Sequence, residues 1–303
     1  MKKTLFLAFI TIIICLSSIN AHAVFRIHPK INDAFSVPTC VPLGDVLSST
    51  AADLDATCIN SYSGTGQTWA NIETTPADSA AQTDYDFTLG AGTGISADDP
   101  TFSGTAGDSA AFFSLDGDDF FEDVDITGTS LSLSGMTSGT DTGPVWVAVA
   151  FKLGAVDTNI AFWGGNTGDA GMLRVLMNNT ENMRFFQDGG VSGDFNAVII
   201  PNDTFDASTD FLVIITYDTT SAGSERRWVN TTTGSDWDIT YAPKTNTIEQ
   251  SSNFNIGAGG RVFELPNNSK IYGFYSGNTI LSDANAATIF THLEARHDRD
   301  YTP

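Results

Sequence analysis

The sequence predicts an all-β protein: a two-sheet antiparallel jelly-roll sandwich with one short C-terminal helix. Three observations carry this. Eleven short runs rich in β-branched or aromatic residues are each bounded by Gly, Asn, Asp or Ser clusters. Aspartate supplies most of the acid and sits beside Gly, Ser, Thr or Asn, which are turn residues, unlike the Glu and Lys of exposed helices. The 28 glycines and 21 phenylalanines suit many short strands joined by polar turns around an aromatic core.

Residues 1–23 read as an export signal. Lys2 and Lys3 form a basic start, Leu5 to Leu16 is an uncharged apolar run, and Ala21-His22-Ala23 offers small residues for cleavage. The run is too short to span a bilayer as a permanent helix. Ile14 stands before Cys15 where lipidation wants a small residue. The mature chain is therefore expected to begin at Val24 and to be secreted or periplasmic, with no membrane insertion.

Residues 24–60 are expected to be an irregular leader, with Pro29, Pro38 and Pro42 and little periodicity. Cys40 and Cys58 are the only cysteines left after the signal, and an exported pair usually forms a disulfide. Closing that loop contributes on the order of 3 kcal/mol by the chain-entropy model. The alternative is a pair of buried thiols.

The sandwich is expected over residues 61–303, a size ordinary for one all-β domain. Strands are predicted at 110–115, 120–126, 145–153, 160–163, 172–177, 183–187, 197–200, 211–217, 226–229, 254–256 and 270–275. Val145 to Phe151 and Phe211 to Tyr217 are almost continuously apolar, as central strands are. Trp146, Phe151, Phe211, Ile214 and Tyr217 are expected between the sheets, and Trp69 in packing. The helix starts at Ser282, a good N-cap, with Ala286, Ile289, Phe290 and Leu293 on one face. A charged tail from Glu294 to Asp300 is expected after it.

The formal charge of −22 includes a signal that carries two of the 14 basic residues and none of the 36 acidic ones, so the mature chain is more acidic still. That balance opposes nucleic acid and anionic lipid.

Three stretches resemble the laminin-G-like branch of the concanavalin A-like lectin and glucanase superfamily. Phe112-Phe-Ser-Leu-Asp-Gly-Asp-Asp-Phe-Phe121 is similar to that family's early hairpin. Phe211-Leu-Val-Ile-Ile-Thr-Tyr-Asp218 with Arg227-Trp-Val-Asn230 is similar to its central pair. Phe254-Asn-Ile-Gly257, Ile271-Tyr-Gly-Phe-Tyr275 and Leu281-Ser-Asp-Ala284 are similar to its closing strands and helix start. The resemblance spans roughly residues 57 to 303 and extends to lectin-like proteins of marine bacteria and phages. It implies a jelly roll that binds glycans or protein surfaces, often with calcium, and in some members hydrolyses polysaccharides.

The hydrolytic branch carries E-x-D-x-x-E on one strand, where alternation turns the acids to one cleft. Glu122-Asp-Val-Asp125 has the wrong order, and no two of the seven glutamates are close in sequence. No G-x-S-x-G elbow, P-loop or zinc spacing occurs. His292 and His297, five apart on the helix, are expected on its surface. No enzyme activity and no required cofactor are therefore expected.

Sugar sites need a flat aromatic together with amide and carboxylate groups near exposed backbone. Trp163-Gly-Gly-Asn-Thr-Gly-Asp-Ala-Gly171 supplies Trp163, Asn166 and Asp169; the alternative is a strand-end Trp filling the core. Ser235-Asp-Trp-Asp238 is a second candidate, because burying Trp237 would desolvate two carboxylates. Asp116-Gly-Asp-Asp119 reads as a hairpin turn that also suits calcium. Asn178, Asn202, Asn230 and Asn267, in N-x-S/T contexts, read as turn residues. The leading expectation is a recognition module for a glycan or cell-surface polymer. A structural or decoration protein without ligand is the alternative, and a polysaccharide hydrolase the third.

Overall fold

Strands buried on both faces read as continuous apolar runs, and the architecture accounts for both such runs here. A computed structural model describes residues 40–92, 94–123, 125–126, 129–131, 144–156, 160–165, 172–177, 183–188, 195–200, 204–218, 225–237, 254–258 and 264–302. Among them lie β1 (Thr50–Asp55), β2 (Thr68–Trp69), β3 (Phe87–Leu89), β4 (Thr101–Ser103), β5 (Phe112–Leu115) and β6 (Phe121–Asp123). Then come β7 (Val145–Lys152), β8 (Ile160–Gly165), β9 (Met172–Met177), β10 (Met183–Asp188) and β11 (Phe195–Ile200). The last are β12 (Phe211–Tyr217), β13 (Arg226–Val229), β14 (Ser235–Asp236), β15 (Phe254–Ile256), β16 (Ser269–Gly277) and the helix α1 (Asp283–His297).

The strands form two antiparallel sheets. The first runs β14-β13-β12-β7-β16-β5-β4, with β1 also paired to β16. The second runs β11-β10-β9-β8-β15-β6-β3-β2. β5 pairs with Ser269–Ile271 and β1 with Gly273–Gly277, so they lie end to end along one edge of β16.

Alternation divides β7 and β12 between two cores. Val145, Val147, Val149 and Phe151, with Phe211, Val213, Ile215 and Tyr217, pack between the sheets. Trp146, Ala148, Ala150, Leu212 and Ile214 face the other way and pack against Ala286, Ile289, Phe290 and Leu293 of α1. Trp146 and Ile214 are thus buried, but under the helix rather than between the sheets. The result is three layers: helix, first sheet, second sheet.

A bulge in β16, at Tyr272, turns both Tyr272 and Tyr275 toward the helix while Ile271 and Phe274 stay inside. Gly273 is needed there, because a Cβ would collide with the Tyr275 hydroxyl. Helix α1 is capped as the sequence suggests, with Ser282 accepting from the Asn285 backbone N–H and Asp298 ending it in the left-handed region. Asn230, a turn residue as read from the sequence, has φ +48° and accepts from the Leu212 N–H at 2.8 Å.

Two features differ from expectation at the chain's ends. Residues 50–55 lie in the stretch expected to be irregular, yet β1 is an integral strand, buried along its whole length. Residue 61 is therefore not a structural boundary. The aspartates that hide this strand are held by the helix expected to dissolve into a charged tail. Arg296 Nη1 lies 2.8 Å from Asp53 and 2.9 Å from Asp55, and its Nη2 donates to Asp53 at 3.0 Å. His297, expected at the surface, is 1% exposed, with Nε2 3.0 Å from Asp55 and Nδ1 2.8 Å from the Tyr301 hydroxyl. Tyr275 donates to Asp55 at 2.7 Å. Burial opposes the charge on Asp55, but His297 and Arg296 hold its carboxyl far below the ordinary range. Arg296 also donates to the Val41 carbonyl, beside the Cys40–Cys58 disulfide, whose Cα atoms are 5.5 Å apart.

Candidate functional site

The aromatics chosen from the sequence are placed in the core. Trp163 is 3% exposed and meets Phe274 of the opposite sheet edge-on at 6.3 Å. A register shift between Ala161 and Trp163 puts Trp163 on the inward face, opposite Ile256. Trp237 is 4% exposed, against expectation. Its neighbour Asp236 turns outward to Arg226, 3.4 Å away, and keeps its water, so burying the indole leaves that carboxylate solvated. Asn166 and Asp169 lie outside the described residues, as do Asn178 and Asn202.

Asp116-Gly-Asp-Asp119 is not a hairpin. β5 before it belongs to the first sheet and β6 after it to the second, so the segment is a corner where the chain changes sheets. Phe113 and Phe121 consequently face each other across the sandwich, 4.9 Å apart and edge to face.

The outward face of the second sheet carries a polar row that the sequence did not reveal. Phe87, Leu89, Phe121, Phe254 and Ile256 point into the core, so the residues between them point out. Cross-strand register aligns Thr88 with Glu122, Glu122 with Asn255, and Asn255 with Gly164. The Thr88 hydroxyl donates to the Glu122 carbonyl at 2.8 Å. Glu122 is 3% exposed and Asn255 is fully buried. Neither amide atom of Asn255 has a hydrogen-bond partner. Leaving such a group unsatisfied costs about 1–3 kcal/mol, and native proteins rarely tolerate it without a reason. Gly164 places no side chain beside it. Asn166 and Asp169 follow two and five residues after Gly164 in the chain.

Asp123, next to Glu122 but on the opposite face, is 8% exposed, and one carboxylate oxygen has no partner. Burial, with like charges from Asp125, Asp86 and Asp84, pushes its carboxyl up to about 7.

No protein-family model and no curated protein sequence matches the chain. Solved structures do. The structure titled HCR/D W1238A mutant aligns at 10% identity and TM-score 0.51, over 82% of this chain and 52% of that one. Trypanosoma rangeli sialidase in complex with sialic acid aligns at 11% identity and TM-score 0.49, over 86% of this chain and 34% of that one. Ruminococcus gnavus IT-sialidase CBM40 bound to α2,3-sialyllactose aligns at 10% identity and TM-score 0.44, over 59% of this chain and 95% of that one. The likeness is one of fold. The chain spans only part of the first two, and these identities carry no residue of theirs across.

Among the described residues, no helix is long and apolar enough to cross a membrane.

Proposed function

We propose that this chain is a secreted, non-catalytic recognition module for a neutral glycan or cell-surface polymer, read by the outward face of the second sheet. The buried, unpaired amide of Asn255 carries the reading. An amide offers two donors and an acceptor, matched to vicinal sugar hydroxyls. The formal charge of −22 disfavours sialylated or uronic polymers. Cross-strand register sets Thr88 and Asn255, neither of them a carboxylate, on either side of Glu122.

The test is Asn255→Val on a glycan array that holds neutral and sialylated arms. A β-branched apolar residue removes the unsatisfied amide, so the variant should melt at or above the wild-type temperature. It should nonetheless lose tenfold or more in affinity for whichever neutral glycan the wild type captures, about 1.4 kcal/mol. Unchanged binding by Asn255→Val would remove the row from the site. Capture of no glycan at all would favour the structural-protein reading.

A further inference from the structure

We propose that Asp116, Asp118 and Asp119 form a calcium site that pins the corner where the chain passes from the first sheet to the second. One oxygen from each of the three carboxylates lies within 4.8 Å of the others. Asp116 and Asp118 are exposed, while Asp119 is 2% exposed and its Oδ1 has no hydrogen-bond partner. Its other oxygen accepts the Asp116 backbone N–H at 2.8 Å. A buried carboxylate oxygen without a donor, set among two more carboxylates, is the environment a hard cation relieves.

The surroundings agree. The charges acting on Asp118 and Asp119 come from other carboxylates, Asp116 and Asp98 among them. The hydrogen bond to Asp116 raises the Asp118 carboxyl, and burial raises that of Asp119 to about 7. Gly90 and Asp98 pack on the corner, through Gly90 N–H to the Phe120 carbonyl, 2.8 Å, and Phe120 N–H to the Asp98 carbonyl, 3.3 Å. Asn267 approaches from the other side, its backbone N 3.6 Å from where a Gly117 Cβ would stand. Three carboxylates on a short irregular corner, with carbonyls and water to complete the shell, suit calcium's six to eight flexible oxygen ligands better than magnesium's strict octahedron. An ion here would tie both sheets to the backbone at Gly90 and Asp98. This inference stands independently of the glycan reading.

The full chain, stripped with EDTA, is titrated with calcium chloride by calorimetry and melted with and without calcium. Wild type should show a binding heat, and at about 100 times Kd its Tm should rise by roughly 5 °C or more. Asp118→Asn changes an exposed group and should lose both responses. Its Tm in EDTA should equal or exceed wild type, because one like charge is gone. Magnesium should give less than half the calcium shift. Absence of heat and of any shift in wild type at about 10 mM calcium, beyond the range of extracellular modules, would overturn the proposal. So would a full calcium response in Asp118→Asn, or equal shifts from the two metals.

Discussion

Replacing Arg296 by Met should destabilise the protein by about 3–5 kcal/mol, the range seen when one partner is removed from a buried ion pair. The geometry puts this residue in that class. Its side chain is 7% exposed, both aspartates it contacts are fully buried, and three charge-assisted hydrogen bonds of 2.8–3.0 Å are lost together. Met keeps much of the volume, so the cost comes from two stranded carboxylates and not from a cavity. For a chain of this size the Tm should fall by roughly 6–20 °C. The assay is thermal and denaturant unfolding of wild type, Arg296→Met, and the triple variant Asp53→Asn, Asp55→Asn, Arg296→Met. The triple variant has no charge left to strand and should recover most of the loss. A single variant within about 1 kcal/mol of wild type would refute the argument. A triple variant as unstable as the single one would assign the cost to packing instead. The sign with pH follows from Asp55, whose carboxyl is depressed. Its stabilisation is present above the unfolded carboxylate value near 4 and is lost only as pH falls toward the folded one.

Trp163→Ala should cost about 3–5 kcal/mol in unfolding experiments, because the indole fills the space between the sheets; an unchanged Tm would place it at a surface. Asp123→Asn concerns the opposite pH sign. The folded carboxyl is raised to about 7, so its favourable contribution is full below about pH 4 and is lost as pH rises through 7. Wild type in EDTA should lose on the order of 1–2 kcal/mol between pH 5 and 8, a discounted figure for a screened site. Asn keeps the acceptor for the Asp125 N–H, 2.9 Å away, and should flatten that slope. An equal slope in both proteins would remove Asp123 from the account.

Local pattern was enough for most of the sandwich. β9, β12, β13 and β15 coincide with their predicted spans, and α1 with its predicted cap and apolar face, because propensity, alternation and turn chemistry agree there. β1 escaped because Asp53 and Asp55 break its apolar pattern, and their partner Arg296 lies 243 and 241 residues away. The Asp-Gly corner was misread for a related reason. Turn residues between two aromatic strands announce a reversal, but nothing local says which sheet the second strand joins. Trp237 was misjudged by weighing Asp236, whose side chain points the other way, to Arg226.

Asn255 was the hardest to see. In the sequence it is the polar residue of Phe254-Asn-Ile256, the alternation any half-buried strand shows. It becomes unusual only when two registers are known at once, since they bring Glu122 and Gly164 to its flanks and leave its amide unsatisfied.

The layer order also constrains where recognition can occur. The outward face of the first sheet is taken up by α1 and residues 43–47, locked by the Arg296 and His297 contacts. Opening it to a ligand would expose Trp146, Trp228, Tyr272 and Tyr275 and strand two buried carboxylates. The space between the sheets is filled by aromatic rings in mutual contact, among them Phe113, Phe121 and Trp69. Among the described residues, the outward row of the second sheet is the other polar candidate, and Glu122 and Asn255 are themselves buried there. There the chain keeps a carboxylate and an amide on neighbouring strands, next to a glycine, at positions where apolar residues would be the more stable choice.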